Sequence, residues 1–228
     1  MTSIVRRRTM GRCLRCVVIM AMILAWSLET KAEQKPSLAI LPFLIERVED
    51  PSRGAVVCPL CKGVSRSGSI VAGAEHTVTQ LLYEKMEALG TWEVLPFDVV
   101  KDPFLRVGLK PFEERPLSSV VQLGKELGTD FVFLGYLFRF EERVGSSIGV
   151  ERPASVGFHV HLLRVKDSKN VWTGKFDETQ RPLSENILKI GSFLRRKASW
   201  LTAGELASVG MGETLKSLPG GKELEEMR

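Results

Sequence analysis

The stretch LGKELGTDFVFLGYLFRFEE, Leu123 to Glu142, constrains what this chain can fold into more than any other. It reads as the end of a helix, a tight turn at Gly128, and the longest strand candidate in the sequence. Phe131 to Leu134 is apolar at every position, so both faces of this strand are covered; polar residues enter from Gly135 onward. Such a strand belongs in the middle of a sheet that carries helices.

The flanking sequence supplies those partners. Ser37 to Ile45 (SLAILPFLI) is a second continuous apolar run and predicts the first strand, with Pro42, which has no N–H, marking where it leaves the ladder. Val78, Leu81, Leu82, Met86 and Leu89 recur at three- and four-residue steps, predicting an amphipathic helix from about Ile70 to a stop at Gly90. Trp92 to Leu95 reads as a short strand. A connection punctuated by Pro96, Pro103 and Pro111 follows, then a helix from Pro116 whose stripe is Leu117, Val120, Val121, Leu123 and Leu127.

Arg139 to Pro153 reads as a charged excursion. Beyond it Val156, Phe158, Val160 and Leu162 alternate with Gly157, His159, His161 and Leu163, and after the polar Lys166 to Asn170 turn a partner strand covers Val171 to Phe176. Helical regions are predicted over Ser184 to Leu194 and over Thr202 to Leu218, the second opening on the capping-box form Thr202-Ala-Gly-Glu205. The predicted fold is α/β: a mixed sheet with a parallel βαβαβ core, an antiparallel β-hairpin, helices packed on it and extra C-terminal helices. One domain over residues 33–218 suffices, with residues 219–228 as a disordered tail.

The net charge of +5 suggests nucleic acid until the charges are located. Of 32 lysines and arginines, six lie in residues 1–32 beside one of the 27 acidic residues, which leaves 26 of each sign. A neutral remainder has no clustered basic surface, so no nucleic-acid partner is expected. The basic excess belongs to a leader: Arg6 to Arg15 form a positive n-region, Val17 to Trp26 an apolar h-region, and Thr30-Lys-Ala32 a small-residue cleavage pattern before Glu33. Residues 1–32 therefore read as a cleaved signal peptide, and the chain as exported; the alternative is an uncleaved membrane anchor, for which an apolar run of roughly half the usual 20 residues is short.

Removing the leader removes Cys13 and Cys16 and leaves Cys58 and Cys61 in the long aperiodic segment Glu46 to Ser69. An even pair in an oxidising compartment makes a disulfide the expectation. Cys58-Pro-Leu-Cys61-Lys-Gly63 is also the shape of one zinc knuckle, in which two thiolates two residues apart face one ion and glycine permits the turn. It is half a site, which His159 and His161, or His76, complete only if the loop folds back onto them. A redox role needs a helix start after the motif, and Lys62 to Gly68 makes a poor one. Otherwise His159 and His161 are a pH-responsive pair, the polar face of a half-buried strand, or histidines under a helix with a satisfied hydrogen bond. No catalytic residue is expected: the sequence has no nucleophile elbow, phosphate loop, H-E-x-x-H or EF-hand pattern. Arg195, Arg196 and nearby Trp200 have the composition of an interface.

Three phrases carry a family resemblance: LAILPF at Leu38 to Phe43, LGKELGTDFVFLG at Leu123 to Gly135, and VHLLRVKDSKNVWTG at Val160 to Gly174. They resemble the small α/β domain shared by the amino-terminal part of TolB, the lipoprotein CsgG, flagellar accessory proteins of the FlgO type and lipoprotein activators of penicillin-binding proteins. Gly128, Asp130, Gly135, Trp172 and Gly174 match the pattern, and all are fold positions. The resemblance implies a periplasmic or outer-membrane-associated protein that works without catalysis, by contact with other envelope proteins; a homo-oligomer is a further partner expectation. The chain departs from that pattern in the cysteine loop, in its added C-terminal helices and in lacking a lipid-attachment cysteine.

Overall fold

The computed structural model describes residues 35–46, 54–147, 149–180, 200–220 and 223. The signal-peptide reading of residues 1–32, the helical region Ser184 to Leu194, Arg195 and Arg196 lie outside the described residues, as does most of the tail.

The stretch Phe131–Glu141 (β6) is the central strand, with ten consecutive buried residues. On one side it pairs in parallel with Ser37–Ile40 (β1) and Leu44–Ile45 (β2), and β1 pairs in parallel with Glu93–Val94 (β5). On the other side it pairs antiparallel with Ser155–Arg164 (β9), which in turn pairs antiparallel with Lys169–Thr179 (β10). The main path of the sheet is β10-β9-β6-β1-β5. This is the expected mixed sheet, with a parallel half built by crossovers and an antiparallel half built by a hairpin. The register of β1 on β6 is pinned at its entry: Ser37 N–H and Oγ donate to Asp130 Oδ2 at 3.0 and 2.9 Å, and Asp130 N–H donates to Ser37 Oγ at 2.9 Å.

Period-two alternation sends alternate side chains of each strand to opposite faces. Leu38, Ile40, Phe131, Phe133, Phe158, Val160 and Leu162 face one core, closed by helices Ala74–Leu89 (α1) and Ala203–Leu215 (α5). Ala39, Leu41, Val132, Leu134, Tyr136, Phe138 and Leu163 face the second, which Val100, Phe104, Phe112, Val120 and Leu123 close from helices Phe97–Val107 (α2), Lys110–Glu114 (α3) and Pro116–Leu127 (α4). The helix stops fall where left-handed backbone favours glycine, at Gly90 (φ 64°) and Gly128 (φ 68°). The capping box at Thr202 and Glu205 is formed from both sides.

Three segments differ from their sequence reading. The proline-rich connection is mostly helical as α2 and α3, because Pro96 and Pro111 sit at helix starts, where a missing N–H costs nothing, and burial of Val100 and Phe104 outweighs Pro103 inside α2. The charged excursion begins later than expected. β6 runs on through Arg139, and only Val144–Gly145 (β7) and Val150–Arg152 (β8) form a short hairpin outside the sheet. Arg139 is buried there because its charge is met: it donates to Ser155 Oγ at 2.6 Å, Arg66 O at 2.9 Å, Val156 O at 3.2 Å and Asp177 Oδ1 at 2.6 Å. Finally, the segment read as irregular between Glu46 and Ser69 contains an antiparallel hairpin, Ala55–Val57 (β3) with Val64–Arg66 (β4). No helix among the described residues is long and apolar enough to cross a membrane.

Candidate metal centre

The β3–β4 hairpin turns at the C-x-x-C motif. Pro59 and Leu60 enter the turn, Lys62 takes the left-handed conformation (φ 59°), Lys62 N–H donates to Cys58 O at 3.0 Å and Cys58 N–H donates to Gly63 O at 2.8 Å. The turn thus carries both sulfurs on one lobe, as the spacing predicts. Alternation in the two strands turns Val56 and Ser65 toward the protein and leaves Val57 and Val64 outside. Arg66 N–H and its guanidinium donate to Asp177 at 2.9, 3.3 and 3.2 Å, and Arg139 grips the Arg66 carbonyl, so the base of the hairpin is clamped to the sheet.

Under the lobe lie His159 and His161 on β9. Residues i and i+2 of a strand share a face about 6.6 Å apart, and here the two rings stand 6.2 Å apart at 81° to each other. Each is braced by an aromatic of β6: Phe138 against His159 with centroids 4.8 Å apart, Tyr136 against His161 at 6.0 Å. Both histidines are buried, at 2% and 0% exposure, so they are not the polar face of a half-buried strand; the cysteine lobe covers them.

Cys58 Sγ lies 3.3 Å from His161 Nε2, and Cys61 Sγ lies 3.5 Å from His159 Nδ1. The four donor atoms all fall within 4.8 Å of one another. A tetrahedral zinc ion with bonds of about 2.3 Å to sulfur and 2.0 Å to nitrogen needs donors roughly 3.3 to 3.8 Å apart. Two of the pairs already have that spacing. The remaining ring nitrogens are held from behind, His159 Nε2 by Ser65 Oγ at 2.9 Å and His161 Nδ1 by Thr173 Oγ1 at 3.1 Å.

Both cysteines are free thiols here, each facing a histidine, in place of the disulfide expected from the compartment. Burial pushes the Cys58 thiol up to about 11, and the neighbouring Cys61 adds to the rise against hydrogen bonds from the turn backbone. Burial likewise lowers His159 to about 4, with the Lys175 ammonium adding to it, and His161 to about 3. Neutral imidazoles are the state a metal requires. Metal coordination would have to deprotonate the Cys58 thiol against this burial, since the thiolate is the ligand.

Access to the lobe is tight. A Cβ on Gly63 would stand 2.6 Å from Lys175 Nζ, 3.1 Å from His159 Cε1 and 3.2 Å from Cys61 Sγ, so glycine is the residue that lets the turn close on the histidines. His76 is not part of the group. It lies on α1 with its ring 6.4 Å from that of Phe97. Of the interface residues read from sequence, Trp200 is described: it is half-buried, its backbone N–H donates to Ser147 O at 3.0 Å and its carbonyl accepts from Arg143. Ser65 and Thr173 escaped the sequence reading, since neither type marks a ligand. Thr173 was findable from the hairpin register, which places it directly opposite His161.

No family model matches the chain, and no curated protein matches it. Among solved structures, it is similar to a PelC dodecamer from Paraburkholderia phytofirmans at 11% identity and a TM-score of 0.44, over 79% of this chain and 85% of that one. It is similar to lipoprotein GNA1162 from Neisseria meningitidis at 16% identity and a TM-score of 0.42, over 72% and 98%. It is also similar to E. coli LpoB at 13% identity and a TM-score of 0.40, over 64% and 57%. Nothing in these likenesses singles out TolB or CsgG. At such scores they carry nothing about partners or activity.

Proposed function

We propose that this is an exported, non-enzymatic accessory protein of the cell envelope, working by contact with other envelope proteins, in which Cys58, Cys61, His159 and His161 hold a structural zinc ion. The observation that carries the metal reading is the convergence of four donors from segments about a hundred residues apart, with the second nitrogen of each imidazole already occupied. Two sulfurs and two nitrogens suit zinc, and four protein donors complete a tetrahedron. That closure supports a structural role over a catalytic one, because a catalytic ion keeps a position for water or substrate. The ion would staple the β3–β4 lobe onto the sheet. The leader over residues 1–32 supports export, and the three sequence phrases support the envelope role.

Metal analysis of the purified full-length chain, with a Cys58→Ser/Cys61→Ser variant as control, tests the centre. About one zinc per chain, lost in the variant, is expected. A metal-free wild type overturns the centre. Affinity capture from envelope extracts tests the role, and failure to retain any envelope protein counts against it.

A further inference from the structure

The two histidines of the cluster turn different nitrogens toward the sulfurs. His159 presents Nδ1 to Cys61 and His161 presents Nε2 to Cys58. The reason lies behind the rings. Ser65, on the inward face of β4 and 3% exposed, places its hydroxyl 2.9 Å from His159 Nε2. Thr173, opposite His161 on β10, places its hydroxyl 3.1 Å from His161 Nδ1.

Thr173 is itself oriented. With the Asn170 amide turned so that its nitrogen donates to Leu162 O at 3.2 Å and Trp172 O at 2.8 Å, its oxygen accepts the Thr173 hydroxyl proton at 2.8 Å. The Thr173 oxygen then faces His161 as an acceptor. The proton of that ring is held on Nδ1, and the Nε2 lone pair is left bare toward Cys58. At His159 it is the geometry alone that points the same way: with Nε2 beside Ser65 Oγ, an Nε2–H donating to that oxygen would leave the Nδ1 lone pair bare toward Cys61.

We propose that Ser65 and Thr173 are the positioning residues of this centre, holding its two histidines as opposite tautomers so that a zinc ion is bound by Nδ1 of His159 and Nε2 of His161. The assignment rests on the metal reading above. It adds which atoms bind and which residues select them. Backing hydroxyls of this kind are worth about 10- to 100-fold in metal affinity.

The test uses the full-length chain with zinc as the probe. Long-range 1H–15N correlation of the histidine rings is expected to show the metal-bound nitrogen as Nδ1 in His159 and Nε2 in His161. Competition against a chromophoric chelator is expected to show Ser65→Ala and Thr173→Val each weakening zinc by about 10- to 100-fold, with Ser65→Thr and Thr173→Ser restoring most of the affinity. Ring spectra with the same nitrogen bound in both histidines overturn the assignment, as do alanine and valine variants that bind zinc like the wild type. The ring spectra decide the question even if a variant fails to fold. A wild type that takes up no zinc overturns the metal centre itself, and that result is distinct from zinc bound through the wrong nitrogens.

Discussion

Cys58 and His161 are 103 residues apart in the chain, and the sulfur of one lies 3.3 Å from Nε2 of the other. The contact joins a turn residue of a small hairpin to an inward residue of a central-sheet strand. Without an ion it is a weak thiol–imidazole interaction; with one it becomes a cross-link between two separate pieces of the fold.

Zinc should therefore raise the stability of the whole domain. An ion that binds only the folded chain contributes about 2.7 kcal/mol when its free concentration is about a hundred times its Kd. For a chain of this length that corresponds to a Tm increase of roughly 5–10 °C. Thermal unfolding with and without a chelator should show the shift in the wild type and lose it in Cys58→Ser and in His161→Ala. Equal melting temperatures for loaded and chelated wild type would refute the cross-link.

Gly63→Ala should damage the centre more than the fold. The added methyl meets the flexible end of Lys175, which can move, but also His159 and Cys61, which are held in place. Zinc affinity is expected to fall by about tenfold or more, while far-ultraviolet circular dichroism stays at the wild-type level. An unchanged affinity would mean that the lobe is looser than its packing suggests.

Asp177 should show how much of the hairpin is held without any metal. Burial alone would raise its carboxyl, but the Arg139 hydrogen bond, the Arg66 backbone N–H and both guanidinium charges bring it below the ordinary carboxylate range. A carboxylate depressed in the folded state stabilises above its unfolded pKa, near 3.8, and that contribution is lost as pH falls below this value toward the lower folded one. Asp177→Asn leaves the buried Arg139 charge without its counter-ion and is expected to cost about 3–5 kcal/mol at neutral pH. Its urea midpoint should also lose the part of the acid dependence that the wild type shows below pH 4. A midpoint equal to wild type at pH 7 would contradict the role given to this pair.

Gly135→Ala tests the other face of the sheet. A Cβ there would lie 2.4 Å from the Phe43 ring, which is buried and packs edge-on against Phe158 at 6.2 Å. Overpacking of this kind costs about 1–3 kcal/mol. A chevron or equilibrium unfolding measurement should show that loss, with zinc affinity untouched because Phe43 lies in the core opposite the cluster.

The sequence by itself determined the frame. Apolar runs at Leu38 to Leu41 and Phe131 to Leu134, the alternation of β9, glycine stops at Gly90 and Gly128 and the capping box at Thr202 are local signals, and local signals survive in one dimension. It also singled out Cys58 and Cys61 as a half-site and placed His159 and His161 on one strand face. What only the tertiary structure decided is that the halves meet. The disulfide expectation weighed an even pair and its compartment above the motif, whereas the turn that carries the sulfurs folds back over β9 because Gly63 admits it there and the Arg139–Asp177–Arg66 cluster clamps its base. Those contacts span 38 to 111 residues and leave no periodic trace along the chain. For the same reason Ser65 was invisible, and Thr173 was legible only through the register of its hairpin: a hydroxyl becomes a selector of tautomers only once another strand sets a histidine against it.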